Sequence, residues 1–268
     1  MNDKSGIITL TTDFGMRDAF VGVLKGVILS INPHATIVDI THGIPQGDLD
    51  AASFAVDQAY NFYPPGTIHV VVVDPGVGTK RRILLVHAHD QYFIAPDNSV
   101  LKYVFRQHEA DVVSITNDDY FLPCTSQTFH GRDIFAPVAA RLSTGVAFEK
   151  FGEKITDYLK GDIALPHKSD QRITGQIVYV DHFGNCISNI SKNDFDPEQL
   201  AEINIKHFQF ERMSHSYAEH QVAEPLAIIS SHDYLEIAVR DGDAAQFLNI
   251  KKGEPIEVVL KESSTANK

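Results

Sequence analysis

The chain has 268 residues, of which 43% are hydrophobic and 22% charged, and its formal net charge is −12. This is the composition of a globular chain, long enough for one large core or two ordinary ones. The acidic balance argues against a nucleic-acid partner, whose phosphates need clustered Lys and Arg, and no apolar run approaches the ~20 residues of a membrane helix.

Met1-Asn2-Asp3-Lys4-Ser5 leads straight into a strand, with no apolar leader region. Ile7 to Thr12 is rich in β-branched residues and reads as the first strand, ended by Asp13-Phe14-Gly15. Ala19 to Ile31 places Phe20, Val23, Leu24, Val27 and Ile31 at helical spacing and stops before Asn32-Pro33. Thr36 to Ile40 reads as a second strand, and Asp48 to Phe62 as a second helix broken by Pro64-Pro65-Gly66. Val70 to Val73 has no polar alternation, so it reads as a strand buried on both faces. Strands at Ile83 to His87, Tyr92 to Ile94 and Val112 to Ile115 follow, with a short helix near Val100 to Phe105 between the last two. Thr128 to Asp133 leads into a helix running to about Leu142. Strands alternating with helices predict an α/β domain with a mainly parallel sheet.

The pattern changes after Gly161, and Pro166 to Asp170 is polar and turn-rich, as a linker would be. Beyond it lie short strands at Thr174 to Val180, Ala201 to Ile205, Ala227 to Ile229, Leu235 to Val239 and Ile256 to Leu260. These predict a small β-barrel or sandwich. The predicted division is an N-terminal domain over 1–165 and a C-terminal domain over 166–268. Cys124 and Cys186 are too few for a disulfide framework and form no C-x-x-C pair. A reducing cytoplasm without structural zinc follows.

Four polar clusters stand where chemistry is expected. Asp13 and Asp18 follow the first strand, where a carboxylate can accept from both hydroxyls of a ribose; Asp18 is equally an N-cap for the next helix. Asp74-Pro75-Gly76-Val77-Gly78 ends the valine strand, with Arg81 and Arg82 close behind. Without the other clusters it reads as a tight loop whose Asp caps its own backbone. Phe129-His130-Gly131-Arg132-Asp133 opens a helix, whose N-terminus favours a neutral imidazole. Asp181 to Asn189 carries Phe183, suited to stack on a flat ring, and Asn185, suited to read a donor–acceptor edge; a turn between strands would look similar. His87-Ala88-His89-Asp90 offers imidazoles for a metal, but His87 and His89 read as sharing one face of a strand, with Asp90 beginning a turn.

Taken in order, these segments resemble the SAM hydroxide adenosyltransferase family, relatives of the fluorinase and chlorinase enzymes. The matching pieces are Thr12-Asp13-Phe14-Gly15 with Asp18, Ile40-Thr41-His42, Val73 to Gly78, Ala95-Pro96-Asp97-Asn98, Phe129 to Pro137, and Phe183-Gly184-Asn185, within about residues 7–260. The resemblance implies an α/β N-terminal domain joined to a small β-barrel. It implies a homotrimer with each site between one subunit's N-domain and its neighbour's C-domain. It implies hydrolysis of S-adenosylmethionine to adenosine and methionine, with no cofactor and no metal, by a cytoplasmic enzyme.

By the same resemblance the catalytic set is Asp74, Arg81 and His130, with Arg82 the alternative for the arginine. Substrate contacts fall to Asp13, Asp18 and Asn98 in the first domain and to Asp181, Phe183, Asn185, Ser188 and Val239 in the second. Halogenases carry a tyrosine in place of Asp74 and a halide-binding serine in place of Gly131, which puts this chain with the hydrolases. Where the family has an aromatic wall, this chain has Gln46-Gly47, so the wall comes from elsewhere or the pocket is roomier. The competing readings are a metal-dependent nucleoside or phosphate hydrolase using His87 and His89, and a sensor that binds S-adenosylmethionine or adenosine without turnover.

Overall fold

The computed structural model describes residues 5–106 and 109–261; the Met1 to Lys4 stretch lies outside them. The chain divides into two compact units, Met1–Ile163 and Ala164–Lys268. Among the described residues no helix is long and apolar enough to cross a membrane.

The first unit opens with β1 (Ile7–Thr12), α1 (Phe20–Ile31), β2 (Thr36–Thr41), α2 (Leu49–Tyr60) and β3 (Ile68–Val72). Then come β4 (Ile83–Ala88), β5 (Gln91–Pro96), β6 (Asp111–Ile115), α3 (Ala136–Ser143) and β7 (Gly152–Lys154). Helix α2 starts where the Asp48 side chain accepts from the Ala51 N–H at 3.0 Å. Helix α1 has no such cap. Its first flanking residue is Ala19, so the capping role considered for Asp18 is not realised.

The seven strands run in the order β2-β1-β3-β5-β4-β6-β7. Pairs β1·β2, β1·β3 and β3·β5 are parallel, whereas β4·β5, β4·β6 and β6·β7 are antiparallel. The sheet is therefore mixed, which corrects the expectation of a mainly parallel one. The physical cause is a two-residue turn. His89 and Asp90 both take positive φ (53° and 57°), and Ala88 pairs directly with Gln91. That geometry makes a hairpin, and a hairpin cannot return a parallel strand. Val100 to Phe105 forms consecutive turns rather than a helix, entered through Ser99 at φ 73°.

Both sheet faces are covered. Leu24 and Ile28 of α1, with Val138, Ala139 and Leu142 of α3, pack on Ile8, Leu10, Val70 and Val72. On α2, the Tyr60 ring meets Phe93 of β5 edge-on at 5.7 Å. Hence β3 is buried along its whole length. One buried polar residue on it, His69, is fully satisfied. Its Nδ1 faces the Thr9 hydroxyl at 2.8 Å and its Nε2 the Gln91 Oε1 at 2.5 Å.

The second unit contains β8 (His167–Lys168), β9 (Arg172–Val180), β10 (Cys186–Ser191), β11 (Leu200–Ile205), β12 (Phe208–Phe210), β13 (Pro225–Ile229), β14 (Tyr234–Val239), α4 (Ala244–Phe247) and β15 (Pro255–Leu260). All pairs are antiparallel, in the order β12-β11-β15-β9-β10-β14-β13, with β8 beside β9. Strand β9 serves both halves: Arg172 to Gln176 pairs with β15, and Ile177 to Val180 with β10. The sheet curls around Ile173, Ile177, Ile190, Ile203, Ile237 and Ile256. It is barrel-like but not closed by a ladder between β12 and β13.

Candidate active site

Parallel strands β1 and β3 are neighbours, so the loops at their C-terminal ends emerge side by side, where α/β sheets place ligands. Between them opens a cavity of about 680 Å³. Asp13, Gln46, Gly47, Asp74, Pro75, Phe129, His130 and Gly131 are among its lining residues.

Asp74 follows β3 directly and takes both arms of Arg81. Arg81 Nε lies 2.9 Å from each carboxylate oxygen, and Nη2 also donates to Oδ2. The same Nη2 stands 2.8 Å from His130 Nδ1. The pair is largely withdrawn from solvent, with side-chain exposures of 5% for Asp74 and 10% for Arg81. Arg82 turns away from this group. It donates to Asp97 at 2.9 Å and to the Asp157 carboxylate and carbonyl at 2.6 and 2.8 Å. Arg82 is thus a clamp on the segment after β7, and Arg81 alone reaches the cavity group.

His130 is 9% exposed and precedes a π-helical turn, Gly131–Phe135, that runs into α3. Such turns are uncommon in regular helices and recur at functional sites. Burial, then the Arg81 guanidinium, hold the imidazole below its ordinary pKa, against the opposing pull of Asp74 and Asp133. Fully buried Asp133 fastens the approach to His130. Its carboxylate accepts from the Ser126 N–H at 2.7 Å and from Arg132 Nε at 2.6 Å. Burial opposes that charge, yet Arg132 and Ser126 prevail and its pKa lies below the ordinary value.

Asp13 Oδ2 accepts from the Gly47 N–H at 2.9 Å, which couples the loop after β1 to the one after β2. An aromatic wall stands nearby, built by Phe14, Phe20 and Phe129 with ring centroids 5.2 to 5.8 Å apart. All three line the cavity. Gln46 and Gly47 line the same cavity without adding a ring to it. Phe20 reads from sequence as a core residue of α1, but it is 45% exposed, and only the structure reveals its place at the cavity. At Gly131 a Cβ would come within 3.3 Å of Val72 Cγ1, close enough that the valine would have to shift by a few tenths of an ångström.

Two expected contacts of the first unit lie elsewhere. Asp18 is exposed and does not line the cavity. Asn98 is not among the residues lining the cavity; it donates to the Val73 carbonyl at 3.0 Å and accepts from the Val100 N–H at 3.2 Å.

In the second unit, Asp181 shapes one turn. It accepts from the main-chain N–H groups of Phe183 and Asn185 and from the Asn185 side chain, each at 2.9 Å. The Phe183 ring is left 72% exposed. Ser188 and Val239 are buried in the sheet, and the Ser188 hydroxyl accepts from the Ile190 N–H. Glu236 is buried beside them, receives the Tyr217 hydroxyl at 2.7 Å, and has its pKa raised by burial and by Asp181. Neither Glu236 nor Tyr217 carries a recognisable signal in sequence.

Among the described residues no three His, Cys, Asp or Glu side chains gather as a metal site would require. His87 stacks on Tyr92 at 4.7 Å, and His89 meets the Val104 carbonyl at 3.0 Å.

Known proteins resemble this chain along nearly its whole length. Residues 8–152 match the SAM hydroxide adenosyltransferase N-terminal domain, and residues 175–257 its C-terminal domain. An (R)-S-adenosyl-L-methionine hydrolase of Salinispora tropica is 32% identical over 94% of this chain and 97% of its own. One of Methanocaldococcus jannaschii is 30% identical over 96% and 97%. A crystal structure of an uncharacterized conserved protein from Thermotoga maritima superposes with a TM-score of 0.87, at 36% identity, over 94% of this chain and 99% of that one. With both halves matched in order, and with relatives aligned almost end to end, the chain belongs to the SAM hydroxide adenosyltransferase family.

Proposed function

We propose that this protein hydrolyses S-adenosyl-L-methionine to adenosine and L-methionine. The observation that carries the reading is the chain of contacts from Asp74 through Arg81 to His130, with Asp74 and His130 lining the same cavity as a carboxylate, Asp13, that suits the ribose hydroxyls. A sulfonium leaves without a proton, so no general acid is needed. Water must instead be held opposite the carbon–sulfur bond at the ribose 5′-carbon, and fixing both reactants removes an entropic barrier. The water oxygen bonds to that carbon, the carbon–sulfur electron pair goes to sulfur, and one proton leaves the water. Asp74, held by Arg81 and His130, orients the water in this reading, and its proton is taken up within that group. Relatives named as hydrolases of this substrate, at about one-third identity over nearly the whole chain, support the assignment.

The second unit supplies the remaining contacts in this reading. Phe183 stacks on adenine and the Asp181-held Asn185 reads its edge. The site is completed by the neighbouring subunit of a homotrimer. Two free cysteines, one buried, suit a cytoplasmic protein.

Incubation of purified protein with S-adenosylmethionine, followed by chromatography, tests the reaction. Adenosine and methionine are the expected products. S-adenosylhomocysteine, methylthioadenosine, or tight binding without product would overturn it. Mixed trimers of Asp74→Asn and Asn185→Ala chains test the shared site. Confirmed hybrids regain activity that each variant lacks, whereas dead hybrids place each site within one chain.

A further inference from the structure

Three groups meet at the cavity, and their donors and acceptors are unequal. Arginine has only N–H donors. The partner of Arg81 Nη2, at 2.8 Å, is His130 Nδ1. A hydrogen bond between them therefore needs a lone pair on Nδ1, which places the proton of the neutral ring on Nε2. A doubly protonated ring would set N–H against N–H in a group that is 9% exposed. The charged groups around the ring are Arg81, Asp74 and Asp133, and the Ser126 main chain completes its surroundings. Burial and Arg81 prevail and hold it neutral. The other nitrogen, Nε2, then carries the proton and the ring also hydrogen-bonds the Ser126 main chain, so neither nitrogen keeps a lone pair to accept a further proton.

Asp74 differs. Its carboxylate has about four lone-pair sites, set against three N–H contacts, all from Arg81. It borders the same cavity.

We infer that Asp74 is the acceptor of the water's proton and that His130 is a positioning residue, which fixes Arg81, and through it Asp74, by accepting the Arg81 Nη2–H at Nδ1. The inference rests on the hydrolysis proposed above. In that step the water oxygen bonds to the 5′-carbon and the carbon–sulfur pair goes to sulfur. The released proton passes to Asp74 and then to solvent.

Two measurements test it. Nitrogen-15 spectra of the histidine side chains, with His130 assigned by loss of its signals in His130→Asn, read the tautomer directly. At neutral pH the His130 ring shows a bare Nδ1 and a protonated Nε2. A proton on Nδ1, alone or in an imidazolium, overturns the inference whether or not the protein turns over. The second measurement compares His130→Asn, whose carbonyl oxygen can replace the Nδ1 acceptor, with His130→Leu, which has none. With folding verified by thermal melts, the Asn variant keeps turnover within about tenfold of the native protein, and the Leu variant loses about 100-fold or more. Equal losses in both would make the imidazole itself the base and overturn the inference. If the native protein releases no adenosine from S-adenosylmethionine, the proposed function fails, and the spectra still decide the tautomer.

Discussion

Gly78→Ala is a severe test of how the active-site loops are held. Gly78 has φ +78°, and a Cβ there would fall inside the van der Waals sphere of the Gln127 carbonyl oxygen, with the carbonyl carbon at 3.4 Å. The obstacle is backbone, which cannot swing aside as a side chain would. The left-handed conformation costs an alanine about 1–2 kcal/mol. Forcing apart a packed contact adds about 1–3 kcal/mol. The total is about 2–5 kcal/mol, a large share of the 5–15 kcal/mol that holds a typical domain. At about 2–4 °C per kcal/mol for a unit of this size, the melting temperature falls by roughly 4–20 °C. Gly6→Ala is the control, because Gly6 has φ +75° but nothing within 4 Å of its added Cβ. It carries the conformational cost alone. Circular dichroism melts of both variants, with adenosine release measured well below the transitions, separate the two terms. Because Gln127 precedes Thr128, Phe129 and His130, Gly78→Ala also lowers turnover, whereas Gly6→Ala leaves it near native. Equal melting temperatures for the two variants would refute the clash and the interlocking of these loops.

Other perturbations divide structural from chemical roles. Arg82→Ala removes the guanidinium that Asp97 and Asp157 share, leaving Asp97 only the Leu159 N–H, and destabilises by about 1–3 kcal/mol in a denaturant titration, while turnover per folded molecule stays near native; a loss of activity like that of Arg81→Ala would return the arginine role to Arg82. Asp13→Ala weakens adenosine binding by calorimetry but barely changes that of 2′,3′-dideoxyadenosine, which lacks the hydroxyls; equal losses would make Asp13 structural. His69 is lowered from 6.5 to about 4 by burial, so the folded state holds it neutral. Its contribution is present above pH 6.5 and is lost as pH falls toward 4, by about 3 kcal/mol; a His69→Phe protein with an unchanged stability slope between pH 6.5 and 4 would remove His69 as the cause.

Much of the chain was legible one segment at a time. The span of α1 follows from its apolar spacing and the Asn32-Pro33 stop, and that of α2 from the Asp48 cap. The burial of β3 follows from its valines. The clusters around Asp74 and His130 were visible as acids, glycines and a histidine interrupting runs that otherwise only pack, but it was the family resemblance that singled out Asp74, Arg81 and His130. These signals are local: spacing, capping and turn chemistry act within a few residues. The strand directions were not legible. Antiparallel pairing at β4 and β5 turns on His89 and Asp90 adopting positive φ without any glycine to announce it. Neither was the split between neighbouring arginines, since adjacent side chains of an extended segment point to opposite sides and only the fold decides which side faces Asp74. Asn98 has the chemistry of a ligand contact, and only the fold reveals that Val73 and Val100 already hold one donor and one acceptor of its amide. Phe20 has the spacing of a core residue, yet Phe14 and Phe129 draw it to a cavity wall. In each case the deciding partner is distant in sequence or set by backbone geometry, and a side chain's free donors, acceptors and surface exist only once the fold has said which of them its neighbours already use.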